Sequence, residues 1–484
     1  MVGPAVDRRI RLHGKPRSAF ITTCHTLVYG ASLDETGTGM NHGESEEWLS
    51  ARPNWRRWGW YGLGVVVLAS IVGSVNRGLI ALIAEPMKQS MALSDSEIGL
   101  LTGLALTFVT AIATYPVGWI ADRFDRRWLL AGCILIWTVA TVGFGFATSF
   151  RGLFLCAMGI AAGEAVLGPV TYSMIPDLFP KERWVAANFV FVTATLLGTY
   201  LGMALGGSLF GWVAANAAVL PGFVAGLEPW RATIVLSALT GPPLAGMVFV
   251  MRLVRMTPPH AKSAQSGVAA YFRENARTTV GIFFGFGLSY AAFGAQAQWN
   301  AVILQRLFKE TPAQIGQFLG VFGAAAAVAG VCLAWLAVRS LRARHGDETP
   351  MLVARLALLC ALVVSLPIPF ASKAWHFYAV ILAKIGFTFM ANSLSPTVLQ
   401  LMSPSPIRGR VVALGGMVTI VAASFMPWLV GLLSDHVFTG PRGIILAMAA
   451  VAIPGLAGGL LALHWGSRTL GETIARAQAR EVHP

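Results

Sequence analysis

Gly118-Trp-Ile-Ala-Asp122-Arg123-Phe-Asp-Arg126-Arg127 closes one long apolar run of the chain and opens the next. Five of its last six residues are charged, and a charge left in hydrocarbon costs about 2.5–3.5 kcal/mol on insertion scales. The segment therefore belongs at a membrane surface. Its excess of Arg assigns that surface to the cytoplasmic side.

Composition places the rest of the chain in lipid. Of 484 residues, 55% are hydrophobic and 12% charged, with a mean hydropathy of +0.65, outside the range of an ordinary soluble domain. The net charge of +14 comes from 36 Lys and Arg against 22 Asp and Glu. These basic residues sit in short clusters between apolar runs, so they set orientation and imply no nucleic-acid partner. Cys24, Cys133, Cys156, Cys332 and Cys360 are scattered, which implies neither a metal site nor a disulfide framework. No cofactor is expected. The sequence shows no sign of ATP use, because no Gly-rich loop ends in Gly-Lys-Ser or Gly-Lys-Thr.

Apolar runs long enough to cross about 30 Å of hydrocarbon as helices recur at about 58–85, 97–121, 127–148, 152–176, 185–213, 231–254, 279–304, 313–338, 350–371, 375–401, 411–435 and 442–465. They are continuous where an outer-membrane barrel would alternate. The expected fold is an all-α polytopic membrane protein with twelve transmembrane helices in two pseudo-symmetric six-helix bundles, 58–254 and 279–465. A polar linker at 255–278 and a cytoplasmic tail at 466–484 complete it. The extension 1–57 is first basic, then acidic, lacks the apolar core of a secretory signal, and is expected to be disordered. A translation start at Met40 would spare everything the fold needs.

Arg56, Arg57, Arg123, Arg126, Arg127, Lys181, Arg183, Arg252, Arg255, Arg273, Arg277, Arg339, Arg342, Arg344, Arg408 and Arg410 precede the first helix or fall in alternate connections. The opposite connections hold fewer, chiefly Lys88, Arg151, Arg306, Lys309, Lys373 and Arg442. Both termini are thereby expected in the cytoplasm, and the location is expected to be a bacterial inner membrane. A weak repeat agrees: Arg183-Trp-Val-Ala-Ala and Arg410-Val-Val-Ala-Leu, each preceded by a proline, Pro180 and Pro406, enter the fifth and eleventh helices. Parallel repeats of this kind build one class of transporter.

The pattern of Gly118, Asp122, Arg123, Arg126 and Arg127 resembles the loop between helices two and three of major facilitator superfamily transporters. The resemblance implies a cytoplasmic gate, in which Asp122 accepts from a facing helix N-terminus or Arg only when that side is shut. The plainer reading is a loop that merely sets topology. At the matching break of the second half stand Arg339, Arg342, Arg344 and Asp347, a degenerate copy.

Glu164 sits midway along its apolar run among Ala161, Ala162, Gly163 and Ala165. An unpaired carboxylate there is expensive, so it calls for a proton, a cationic partner, a substrate, or a permanent bond to neighbouring helices. Arg77, too deep for easy snorkelling, is the expected partner. Around these residues a closer likeness appears. Asn76-Arg77-Gly-Leu-Ile-Ala-Leu-Ile-Ala-Glu85-Pro86-Met-Lys88, then Leu-Ser-Asp95-Ser-Glu-Ile98-Gly99-Leu-Leu-Thr-Gly103, and Gly163-Glu164-Ala165 with Pro169, Ile175, Asp177, Phe179 and Pro180, resemble the bacterial Spinster-like branch. Trp299, Arg306, Pro427, Gly431 and Asp435 add weaker likeness in the second half. Where that branch usually has Asp-Arg in the first helix this chain has Asn76-Arg77, and where it usually has Arg seven positions before the helix-four Glu this chain has Ala157. One acid and one base are absent together, which suggests a rewired charge pair with Glu164 as the titratable member.

The resemblance also implies that helices one, four, seven and ten line a central cavity. Tyr290, Gln296, Gln298, Trp299 and Asn300 of helix seven and Lys384 and Asn392 of helix ten are then candidate substrate contacts. Lys384 lies about 14 Å into its run at ~1.5 Å per residue, where it serves either substrate or structure. Gly198, Gly202 and Gly206 share one face of helix five, expected at the interface between the halves or in plain packing. The expected activity is proton-coupled secondary active transport by alternating access. The branch implies a lipid-like or amphipathic substrate of the lysophospholipid or sphingoid type. The alternatives are a small organic anion, a multidrug exporter, and a non-transporting sensor. No paired-carboxylate or His-rich motif within the runs supports an enzyme. The expected partners are the lipid bilayer, a small-molecule or lipid-like substrate and protons, with the chain acting as a monomer.

Overall fold

In hydrocarbon each backbone N–H and C=O must find its partner within the chain, and the apolar runs meet that demand as helices. The computed structural model describes residues 55–121, 123–180, 183–251, 268–404 and 407–482. The N-terminal half holds α1 Trp55–Met91, α2 Asp95–Ala121, α3 Arg126–Phe146, α4 Phe150–Ile175, α5 Trp184–Ala215 and α6 Pro229–Val250. The C-terminal half holds α7 Ala276–Phe308, α8 312–345, α9 Thr349–Ser365, α10 Ala374–Leu401, α11 Arg408–His436 and α12 Gly443–Ser467, followed by α13 Leu470–Val482. Among the described residues, eleven stretches are apolar and long enough to cross a membrane, one of them Pro312–Phe370 with 59 residues. As one helix it would be about 88 Å long at ~1.5 Å per residue. The chain instead turns within it at Gly346, whose φ of +54° suits glycine, and the stretch makes two crossings. Twelve transmembrane helices in two six-helix bundles result.

The two halves repeat each other in detail. Ser94 Oγ accepts from Glu97 N (3.1 Å) while Glu97 Oε2 accepts from Ser94 N (2.9 Å), a capping box that starts α2. Thr311 and Gln314 do the same for α8. Both helices then widen into π-helical turns, at Leu100–Phe108 and at Leu319–Gly323.

The halves meet along α2 against α11 and α5 against α8. A Cβ on Gly103 would stand 2.3 Å from Ser424 O, and one on Gly316 would stand 2.3 Å from Met203 O, so the backbones touch across both seams. Gly198, Gly202 and Gly206 do not serve this seam. They face Ser74, Val75 and Leu79 of α1 within their own bundle, and only the next position round, Gly207, meets Pro312 and Gly316 of α8. Successive residues turn by about 100°, which moves Gly207 to a different neighbour. Large apolar side chains such as Val139, Leu155, Val363 and Leu461 point outward, the surface of an integral membrane protein.

Residues 1–54 of the expected extension, Met40 among them, and most of the linker lie outside the described residues, while 55–57, expected to be disordered, form the first turn of α1. The linker ends in a short helix, Val268–Glu274, pinned where Tyr271 Oη donates to Met402 O at 2.7 Å. The tail is helical too. Leu470, Ile474 and Ala477 of α13 are buried, Thr278 bonds Thr469 and Thr473, and Arg476 donates to Asn275.

Candidate functional site: a cavity shut on one face

Call the face carrying the α2–α3 connection the basic face and the other the far face. Between described residues, every hydrogen bond that crosses from one half to the other lies on the far face. Arg306, near the end of α7, inserts between Glu85 of α1 and Asp95 of α2: Nη2 donates to Glu85 Oε2 at 2.8 Å and to Asp95 Oδ1 at 2.8 Å, and Nη1 to Asp95 Oδ2 at 2.9 Å. Lys88 pairs with Asp95 from its own half, and Ser434 Oγ donates to Asp95 Oδ2 at 2.7 Å. Asp435, at the end of α11, accepts from the backbone N–H of Asp95 (3.1 Å) and of Ser96 (2.7 Å), and from Ser96 Oγ (2.6 Å). A carboxylate on those first-turn donors is a helix cap supplied by the other half. Gln305 Nε2 adds a bond to Leu82 O at 2.8 Å.

Beneath this seal, between the halves, lies a cavity of about 250 Å³. Its N-terminal wall carries Arg77, whose side chain is 44% exposed, and Arg77 Nε donates to Glu164 Oε2 at 2.5 Å. Local sequence explains the meeting. Gly163 packs so closely on α3 that a Cβ would lie 2.7 Å from Cys133 O, and Gly73, one turn before Arg77, leaves room beside the Glu164 carboxylate. Arg77 Nη2 also reaches Thr110 Oγ1 at 3.4 Å. Asn76 is not part of this pair. It is buried against α6, where Ser237 Oγ donates to its Oδ1 at 3.2 Å, because consecutive residues of a helix face different neighbours.

Of the expected contacts in the C-terminal half, Tyr290, Gln296, Gln298, Asn300 and Lys384 line the cavity, with Met203, Phe293, Leu319 and Ile385 forming its apolar wall. Trp299 and Asn392 stand outside the lining. The indole N–H of Trp299 is spent on Pro427 O at 3.1 Å, which ties α7 to α11, and Asn392 Nδ2 bonds Ser289 Oγ (3.2 Å) and Thr388 O (3.0 Å) inside the C-terminal bundle.

On the basic face the motif residues are tied within their own half. Arg123 stacks on Trp119, with its guanidinium carbon 3.4 Å from the ring centre. Arg126 is buried and joins Ser173 O (2.8 Å) and the Asp177 carboxylate of the α4 end. Arg127 pairs with Asp125 and donates to Met251 O at 3.2 Å, beyond α6. The hydrogen bond that the Arg127 side chain donates to Asp125 holds that carboxyl below its ordinary range. A Cβ on Gly118 would meet only Pro169, at 3.8 Å. Asp122 lies outside the described residues.

Sequence reasoning took Glu85, Lys88, Asp95, Arg306 and Asp435 as marks of kinship and missed that they converge. Charges at helix ends read as ordinary loop charges. The available signal was their sharing of one face and the capping box that places Asp95 on the first turn of α2.

The family model of the Major Facilitator Superfamily matches residues 66–419, about three quarters of the chain. The chain is similar to an MFS-type efflux pump of Mycolicibacterium smegmatis, 26% identical over 410 residues, covering 82% of this chain and 90% of the relative. It is also similar to a sphingosine-1-phosphate transporter of Xenopus tropicalis, 28% identical over 159 residues, a match covering 32% of this chain and 31% of that protein. Among solved structures, a bacterial homolog of the human lysosomal transporter Spinster, inward-facing and unoccupied, shares the fold with a TM-score of 0.69 at 20% identity over 87% of this chain and 97% of that one. The chain belongs to the major facilitator superfamily and resembles its Spinster-like branch.

Proposed function

We propose that this transporter works by alternating access, couples to protons through Glu164, and moves a lipid-like or amphipathic substrate of the lysophospholipid or sphingoid type. The observation that carries the reading is a cavity between the halves that holds the Arg77–Glu164 pair and whose interhalf hydrogen bonds, between described residues, lie on the far face. Arg excess makes the basic face cytoplasmic, so the conformation described is open inward, as in the solved Spinster homolog. Both termini are then cytoplasmic, in a bacterial plasma membrane. One chain supplies both walls of the cavity, which suits a monomer.

When the cavity opens to the far side, a proton arriving at Glu164 neutralises the carboxylate and releases the Arg77 guanidinium toward substrate. On return to the cytoplasmic side the proton leaves and the pair re-forms, which avoids a bare carboxylate in hydrocarbon. Asn76 cannot titrate and is held by Ser237, so it takes no part in the proton step. The apolar wall supports an aliphatic substrate, and the sphingosine-1-phosphate transporter among the relatives supports a lipid-like one.

Proteoliposomes loaded with the purified protein and a fluorescent lysophospholipid test this. Glu164→Gln is expected to lose uptake driven by a pH gradient while keeping exchange. Wild-type transport that ignores an imposed pH gradient would sink the coupling. Uptake of amphipathic cations in place of lysolipids would select the multidrug reading, for which the efflux-pump relative speaks. Binding without flux would select a sensor.

A further inference from the structure

We infer that the cavity wall of the C-terminal bundle is a seat for an anionic group, a phosphate or carboxylate, with Lys384 as its cation. The inference rests on the reading of this cavity as the substrate site and narrows the substrate to an anionic amphiphile. Lys384 lies ten residues into α10 and is only 1% exposed. Among the described residues its Nζ has no hydrogen-bond partner, and no carboxylate lies within ion-pair distance. Midway along a crossing its ammonium is too deep to snorkel to either face, and an isolated cation in hydrocarbon is expensive.

Two further side chains of the C-terminal bundle line the same cavity. The Gln296 Nε2 and the Asn300 Oδ1 are buried without partners, and both residues line the cavity. Gln296 adds a neutral donor to the Lys384 cation.

Charge across the cavity is uneven. The lining carries two basic residues, Arg77 and Lys384; Arg77 is matched by Glu164, so the unmatched one, among the described residues, is Lys384. An acidic head group bonded to Lys384 and Gln296, with its chain along Phe293, Met203, Leu319 and Ile385, satisfies both the charge and the apolar surface. A sphingoid amine would add a second unmatched cation.

The test is calorimetric titration of the protein in nanodiscs of zwitterionic lipid with dodecyl phosphate, inorganic phosphate and dodecylamine. Wild-type protein is expected to bind dodecyl phosphate and not the amine. Lys384→Gln should weaken that binding at least tenfold, Lys384→Arg should stay within about threefold, and Gln296→Leu should weaken it about threefold or more. Inorganic phosphate binding with the same Lys384 dependence would identify a small anion as the source of the acidic group. Much tighter dodecyl phosphate binding would identify an amphiphile. Lys384→Met, free of ligand, is expected to raise the thermal midpoint by removing an unmatched charge. A lowered midpoint would reveal a structural partner and overturn the seat. Equal binding of dodecyl phosphate by wild type and Lys384→Gln, a preference for the amine, or no anion binding by wild type would also overturn it. Lys384-dependent binding without flux in proteoliposomes would leave the seat standing and remove the transport reading.

Discussion

Arg306 holds two carboxylates of the other half, Glu85 and Asp95, with its planar guanidinium donating to both oxygens of Asp95. Removing it leaves Lys88, among the described residues, as the one remaining cation for the two acids, so the loss is expected to approach the ~3–5 kcal/mol that breaking a buried pair costs. Arg306→Ala is therefore expected to lower the thermal midpoint sharply, and Asp95→Asn in that background to recover part of the loss. Recovery separates lost attraction from mere lost packing, and its failure would remove Arg306 from the seal. Arg306→Lys should be intermediate, since an ammonium cannot reproduce the fork. Single residues were unevenly legible in the sequence. Arg77 and Glu164 stood out because lipid makes any deep charge conspicuous. Trp299, Asn392 and Asn76 were harder, because membership of a lining helix does not say which way a side chain faces. Arg126 carried the family pattern and yet spends its guanidinium on Asp177, inside its own bundle.

At the scale of the element, α2 and α11 meet through glycine. Gly103 leaves no space for a methyl group beside Ser424 O, and Gly99 leaves none beside Pro427 O. Overpacking such a contact costs about 1–3 kcal/mol, which falls on the conformation that makes it. Gly103→Leu should therefore shift the protein toward a state open on the far face. Spin labels at positions 89 and 437 are expected to show a longer separation by double electron–electron resonance, and an unchanged distribution would deny the seam its role. The helices themselves were the most legible level, because continuous apolar runs of sufficient length have one solution in lipid. Their π-helical turns were not legible. A wide turn arises from packing across the seam and leaves no distinct composition.

For the whole molecule, the proposed orientation rests on the asymmetry of basic residues. In a background depleted of cysteine, Lys373→Cys should react with an impermeant maleimide on intact cells, and Arg344→Cys only after lysis. The reverse pattern would invert the assignment and with it the inward-open reading. The arrangement of twelve crossings followed from length and hydropathy, and the capping boxes of α2 and α8 repeat at matching points of the two halves. The cavity was less legible, because it is made of distances between halves, which depend on the conformation that the sequence shares among several.

The carboxylate of Asp435 closes the first turn of α2 from the opposite half. When the far face opens, those amide hydrogens must be rehydrated together with the carboxylate, so the position of the equilibrium is set partly by how well the outer solution solvates a bare helix end. Dissolved anions compete with Asp435 for the same donors. In the proposed cycle, the ionic make-up of the medium at the far face thereby becomes a variable of transport, acting on the resting balance between the two states even where it is not the cargo.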